Sequence, residues 1–207
     1  MLKNILLYTG GVFVFLALLL LYGFFVNTGK QSLGSALNAK GIKRVQNVNL
    51  VVFRSKNLMQ LFADTVLVKE YRVALGSDKQ LQNSGPVRYT PVGTYKICSI
   101  DTSARYHKFL RLNFPNLDDS EEAYRAGIIS QKEFEDLKFQ FYYEGCVSPK
   151  TVLGGSKGIQ GTGRMDDFLR NLPFVYNWTD GSVALSNEEI DELFTVVEKG
   201  TKVVIKP

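Results

Sequence analysis

Ser182 stands where a reactive group is easiest to build. It lies in WTDGSVALSN, residues 178–187, a turn that leads into a helix start. Ser186 with Glu189 three residues on forms a capping box, and Ile190, Leu193, Phe194 and Val197 follow at helical spacing. A sharp turn running into a helix is a common seat for a nucleophile. A thiol there works because its pKa of about 8.5 can be lowered until thiolate is present near neutrality, whereas an alcohol needs a base placed to take its proton. The chain has one histidine, His107, so any imidazole-dependent mechanism rests on it. A single histidine on a strand is more often a packing or hydrogen-bonding residue. Of the two cysteines, Cys98 falls on an expected strand and Cys146 in a loop. They either pair, as an oxidising compartment would favour, or stay as buried thiols; no histidine adjoins Cys146 to make it a nucleophile.

The elements that must hold this turn are mostly strands. Alternation through Val48, Leu50 and Val52, and again through Val66, Val68 and Tyr71, predicts a pair of strands with the turn at Phe62 to Asp64. Ser84, Gly85 and Pro86 mark a loop, Thr94 to Ile100 the next strand, and TKVVIKP, after Gly200 ends the last helix, a closing strand. Between Asp118 and Gly145 two capping boxes, Asp119 with Glu122 and Ser130 with Glu133, predict two short helices separated by Gly127. The acidic residues of that stretch are explained by capping and the helix dipole rather than by metal binding. GGSKGIQGTG, residues 154–163, matches neither the P-loop nor the dinucleotide fingerprint and reads as a flexible loop entering the site. Asn177-Trp178-Thr179 is formally a glycosylation acceptor. Nothing calls for a metal or a cofactor.

The N-terminus is of another kind. Residues 5–26 carry no charge over 22 positions, which at 1.5 Å per residue is roughly 33 Å, enough to cross a hydrocarbon core of about 30 Å. That length predicts an uncleaved membrane anchor rather than a signal peptide, whose apolar region is shorter and whose cleavage site would lie closer than Gly34, Ser35 and Ala36. Residues 28–46 read as a linker and residues 47–207 as one domain, an ordinary size for a chain of 207 residues that is 45% apolar. Beyond position 30 the chain holds 23 basic and 20 acidic residues, too mild a balance for nucleic acid to be the partner.

The wording W-T-D-G-x-x-A-x-x-N ahead of an acidic helix resembles the catalytic turn of the L,D-transpeptidase family, in the branch that writes it DWTDGCIA. The residue after the glycine is that family's nucleophilic cysteine; here it is Ser182. IQGTG at 159–163 resembles the family's I-H-G strand end, whose histidine activates the cysteine; here that position is Gln160. Residues 49–77 resemble the opening hairpin, YTPVGTYKI at 89–97 the T-P-x-G-x-Y motif, and SARYHKFLRLNFPN at 103–116 the following strand, which places His107 near the substrate groove. Four motifs in the family's order, over roughly residues 46–207, imply a mainly β, sandwich-like fold with helical insertions, in the periplasm and behind a single inner-membrane span.

The pair Ser182 and Gln160 keeps polarity and shape while removing reactivity. The expectation is an inactive homologue that binds peptidoglycan stem peptides or an envelope protein through Gln160, Gly161, Trp178, Thr179, Asp180, Gly181 and Ser182. Two alternatives stand beside it. One is a serine transferase or hydrolase with Ser182 as nucleophile and the Gly181 to Val183 amides as oxyanion donors. The other is a purely structural subunit of a membrane complex.

Overall fold

The computed structural model describes residues 2–28, 31–76, 89–103, 105–169, 172 and 174–207. The expected loop at Ser84 to Pro86 lies outside them. The first helix, α1 (Leu2–Thr28), contains an 18-residue stretch, Leu6–Gly23, long and apolar enough to cross a membrane.

The stretch read as a linker is not wholly extended. Ser32 caps a short helix, α2 (Leu33–Ala39), by accepting the Ser35 N–H, and Leu33 and Ala36 are buried in the main core. The Leu33 N–H also donates to a Glu192 carboxylate oxygen at 2.8 Å, and Lys69 pairs with the same carboxylate. Small residues and a single leucine at 33–36 give too faint a periodicity to announce a helix; it forms because it has a surface to pack on.

Eight strands follow: β1 (Val48–Phe53), β2 (Leu58–Ala63), β3 (Val66–Arg72), β4 (Gly93–Ser103), β5 (His107–Leu112), β6 (Gly158–Gly161), β7 (Val183–Leu185) and β8 (Lys202–Lys206). The expected opening strand pair proves to be a three-strand meander. A single turn of 3-10 helix and Asn57 in the left-handed region reverse the chain between β1 and β2, and Asp64, the last residue of the expected turn, reverses it again between β2 and β3. The strands lie in the order β3-β2-β1-β8-β4-β5-β6-β7. Leu50, Val52, Met59, Leu61, Tyr95, Ile97, Val203 and Ile205 alternate inward and are almost wholly buried, each fully buried aliphatic or aromatic side chain contributing roughly 1.5–3 kcal/mol.

β4 joins the two halves of the sheet. Its first residues, Gly93 to Lys96, pair with β8, and from Ile97 onward it pairs with β5, with a register irregularity between Ile97 and Ser99. The outer edges also meet. Beyond β3, Ala74 bridges Ala184 of β7, and Gly76 bridges Thr179. The sheet therefore curls round its core towards closure, and the Trp178–Ser182 turn is pinned between its two edges.

Helices α3 (Leu117–Arg125) and α4 (Gln131–Phe139) form an excursion between β5 and β6 with a small core of its own: Ala123, Ile129, Leu137, Val147 and Leu153. The Ser130–Glu133 box caps α4 as the sequence predicts, and Gly127 turns the chain between the helices at φ 70°. The first cap is displaced. Asn116, not Asp119, is the N-cap, and Asp119 is the residue that reaches back to it, because the helix starts directly after Pro115 and Asn116. A five-residue π turn, Gln140–Glu144, follows α4 and delivers Cys146 to Cys98 of β4. The two Cα atoms are 5.4 Å apart and the thiols form a disulfide, within the range the bond requires. A four-residue helix, α5 (Asp166–Leu169), precedes the turn, and α6 (Asn187–Phe194) follows β7. The Ser186–Glu189 box forms as read, but α6 stops at Phe194; Gly200, at φ 94°, instead turns the chain into β8.

Candidate functional site

The run read as a flexible loop is partly strand. Residues Gly158 to Gly161 form β6, buried along its whole length, between β5 and β7. β6 and β7 are parallel, with Gln160 opposite Ala184 and Ile159 opposite Val183. Paired residues of parallel strands share a face, so Gly158, Gln160, Ser182 and Ala184 lie on one side of the sheet. The Gly158 N–H donates to Ser182 Oγ at 3.2 Å. Both Ser182 and Gln160 are buried, and both line a pocket of about 290 Å³ together with Arg105, Tyr106, Lys157, Trp178 and Asp180. The structure thus brings together five of the residues predicted from the sequence to form the groove, Gln160, Trp178, Asp180 and Ser182 in its wall and Gly181 in the turn beneath it.

The turn itself is rigidly tied. Thr179 Oγ1 donates to the Ser182 carbonyl at 2.5 Å and accepts the Gly181 N–H, while the Thr179 N–H donates to the Leu75 carbonyl. Asn177 Oδ1 accepts the Leu75 N–H and an N–H of Asn57, which makes the formal glycosylation acceptor a structural hydrogen-bonding residue. Thr90, from the Thr-Pro step, accepts the Gly76 N–H. Past the end of β6, Asn187 Oδ1 accepts the Gly163 N–H, and the Asn187 N–H donates to Asp166. Gly161 lies beneath this joint; a Cβ there would meet Asn187 Oδ1 and the Tyr106 carbonyl at 2.7 Å. It shapes the site without lining it.

His107 is placed elsewhere. It opens β5 at φ 64°, half-exposed, and its Nε2 lies 2.8 Å from Asp191 Oδ1 of α6. It does not line the pocket that holds Ser182 and Gln160. Cys146, bonded to Cys98, offers no thiol.

Arg105, Tyr106 and Lys157 were not among the groove residues expected from the sequence, and Lys157 is the most deeply buried of the three. Lys157, immediately before β6, is 3% exposed. Its ammonium donates to the carbonyls of Tyr89 at 3.3 Å and Asp180 at 3.2 Å and lies over the rings of Phe114 and Tyr89. Burial lowers its pKa to about 8, with Asp180 pulling the other way. A lone cation inside a glycine-rich run that leads into a buried strand was the available signal.

Two predictions follow from this packing. Gly181 adopts φ 97°, and a Cβ on it would meet the Lys157 ammonium at 2.2 Å and the Tyr89 carbonyl at 2.5 Å. The lysine end can swing aside but the carbonyl cannot, so Gly181→Ala should lower stability by about 1–3 kcal/mol in thermal or denaturant unfolding. For Lys157, an ordinary value of 10.5 against about 8 when folded means the unfolded chain binds more protons between those limits. The stability of the wild type relative to Lys157→Met is therefore expected to be flat below pH 8 and to rise towards pH 10, by about 3 kcal/mol at most. Denaturant titrations of both proteins at several pH values measure the difference, from which the titrations of all other groups cancel.

A sheet curled until its edges meet, with a parallel strand pair offering one side chain from a strand end and one from a tied turn, defines an L,D-transpeptidase-type catalytic scaffold. The chain belongs to this family: residues 47–205 match the YkuD family, the L,D-transpeptidase catalytic domain. Among solved structures it is similar to the helical cell shape determining protein Pgp2 of Campylobacter jejuni, at 15% identity over 84% of this chain and 54% of that one, with a TM-score of 0.50. It is also similar to Bd1075 of Bdellovibrio bacteriovorus, at 14% identity over 78% of this chain and 48% of that one, TM-score 0.49. An L,D-transpeptidase from Mycobacterium smegmatis matches at 10% identity over 78% of this chain and 59% of that one, TM-score 0.47. At these identities the likeness is one of fold, and the chain spans about half to three-fifths of the length of those proteins. A comparison with curated protein sequences gives no match.

Proposed function

We propose that this protein is a membrane-anchored, periplasmic member of the L,D-transpeptidase family that has lost transpeptidation and binds peptidoglycan stem peptides in the groove walled by Gln160, Trp178 and Ser182. The observation that carries this reading is the pairing of a preserved scaffold with missing reactants. The turn and the strand pair are held by a frame of hydrogen bonds, yet the two positions that resemble the family's nucleophile and base hold an alcohol and an amide. An amide cannot take a proton at neutral pH, so it leaves the serine an unactivated alcohol. His107 is engaged by Asp191 outside the pocket, and Cys146 is in a disulfide.

The disulfide also favours an oxidising compartment, and α1 supplies a span of sufficient length and apolarity. Gly34 to Ala36 belong to a helix docked on the domain, which suits a chain that is retained rather than cleaved there.

The test uses full-length protein in detergent. It should co-sediment with purified peptidoglycan sacculi, and its intact mass should stay unchanged after incubation with a carbapenem, which in this family acylates the cysteine. An adduct on Ser182 would replace this reading with the serine-enzyme one. Failure to co-sediment would leave an envelope protein or a scaffold role in its place.

A further inference from the structure

We infer that the groove contains a carboxylate-binding subsite formed by Lys157 and Arg105, so that the ligand is a peptide presenting a free carboxylate beside the Ser182 turn. The inference rests on the peptide-binding reading above and narrows it to one ligand chemistry.

Lys157 is the first observation. An ammonium buried to this degree is costly, and an apolar side chain of similar length would fill the same space against Phe114 and Tyr89 without that cost. The carbonyls of Tyr89 and Asp180 hold it in the pocket wall, against Gly181 of the Ser182 turn. A charge there acts through protein rather than through bulk water, so it reaches into the groove with less screening than a surface lysine would have.

Arg105 is the second. It lines the same pocket from the loop before β5, and its guanidinium lies 5.0 Å from the centroid of the Tyr106 ring. A guanidinium held against a ring face keeps its in-plane N–H fork for a planar acceptor, and a carboxylate is the acceptor that matches it. The charged side chains lining the pocket are Arg105, Lys157 and Asp180. Arg105 and Asp180 are both exposed at the rim and Lys157 is buried; the two cations against one carboxylate leave an excess of one positive charge, which a ligand carboxylate would balance. The remaining walls fit a peptide: Trp178 offers an apolar surface, and Gln160 and Ser182 offer groups that pair with amides.

Trp178 is the chain's one tryptophan and sits in the pocket wall, so its fluorescence reports occupancy directly. Full-length protein in detergent is titrated with a stem tetrapeptide carrying free carboxylates, with the same peptide as its C-terminal amide, and with the peptide amidated only on its side-chain carboxylates. The expected result is at least a tenfold loss of affinity for one of the two amidated peptides, which identifies the carboxylate that is bound. Lys157→Met and Arg105→Gln should each lower affinity for the free acid and shrink that discrimination, while Lys157→Arg restores part of it. Equal affinity of the wild type for all three peptides overturns the subsite while leaving peptide binding in place. Absence of any binding by the wild type overturns both. The wild-type comparison involves no variant, so misfolding of Lys157→Met would not rescue the inference, and discrimination that survived in a folded Lys157→Met would overturn the part assigned to Lys157.

Discussion

The double substitution Ser182→Cys with Gln160→His is expected to give a protein that a carbapenem acylates, where the wild type, on the reading proposed above, is not acylated. Parallel pairing of β6 and β7 puts both positions on one face, and Ser182 Oγ already lies against the Gly158 N–H at the mouth of the strand pair. A thiol at 182 would have an imidazole two residues along the neighbouring strand, and the Thr179 clamp would hold the turn as it does now. Geometry limits the gain, since misplacing a reacting pair by about 1 Å costs roughly a hundredfold in rate. Slow but complete acylation by a carbapenem over hours, seen as a mass increase on the peptide containing residue 182, is the outcome anticipated. Either single substitution should fall far short, because thiol and base act as a unit. A folded double variant that never acylates, while the wild type still binds sacculi, would mean that the groove has been reshaped for binding beyond those two side chains.

The second large effect concerns the bridge between Cys98 and Cys146. It joins residues 48 apart, a loop whose closure entropy is about 4 kcal/mol in the chain-entropy treatment. It also fastens the α3–α4 excursion to the main sheet at the irregularity of β4, where that sheet changes partners. Arg111 is another fastening, donating to the carbonyls of Val147 and Gly155, and Tyr95 of β4 donates to Asp119 of α3. Cys98→Ser with Cys146→Ser should therefore lose about 2–4 kcal/mol, a large share of an ordinary domain's stability. Thermal unfolding with and without reductant checks it: the serine variant should match the reduced wild type. A stability unaffected by reductant would show that Arg111 and the small core around Leu137 suffice.

What the sequence disclosed and what it hid divide along a physical line. The Ser130 and Ser186 caps, the Gly127 break and the closing strand were legible because capping and alternation are local, decided by residues within four of one another. The tied turn was legible through its resemblance to a family, as was the place of Gln160 beside it. Features requiring a distant partner were not. β2 escaped because Leu58 to Ala63 is largely apolar, so its alternation shows only once Met59, Leu61 and Ala63 are seen to face the core. The pairing of the cysteines stayed open because sequence fixes no distance between a strand and a loop 48 residues away. Lys157 lies in the run that reads as a flexible loop entering the site, because its burial depends on Tyr89, Phe114 and Asp180, none of them a near neighbour. His107 was placed near the groove by resemblance, whereas its side chain turns to Asp191.

Helix α2 carries one more consequence. Thr28 closes α1 and Ser32 already caps α2, whose Leu33 and Ala36 are sunk in the domain. Four peptide units at about 3.8 Å each reach no more than about 15 Å. With α1 in the bilayer, as proposed, the domain is not a float on a long leash but a fitting held at a fixed working height. If the groove binds stem peptides as proposed, it would meet only the wall material closest to the bilayer, and lengthening the stretch between Thr28 and Ser32 would let it sample layers beyond that reach.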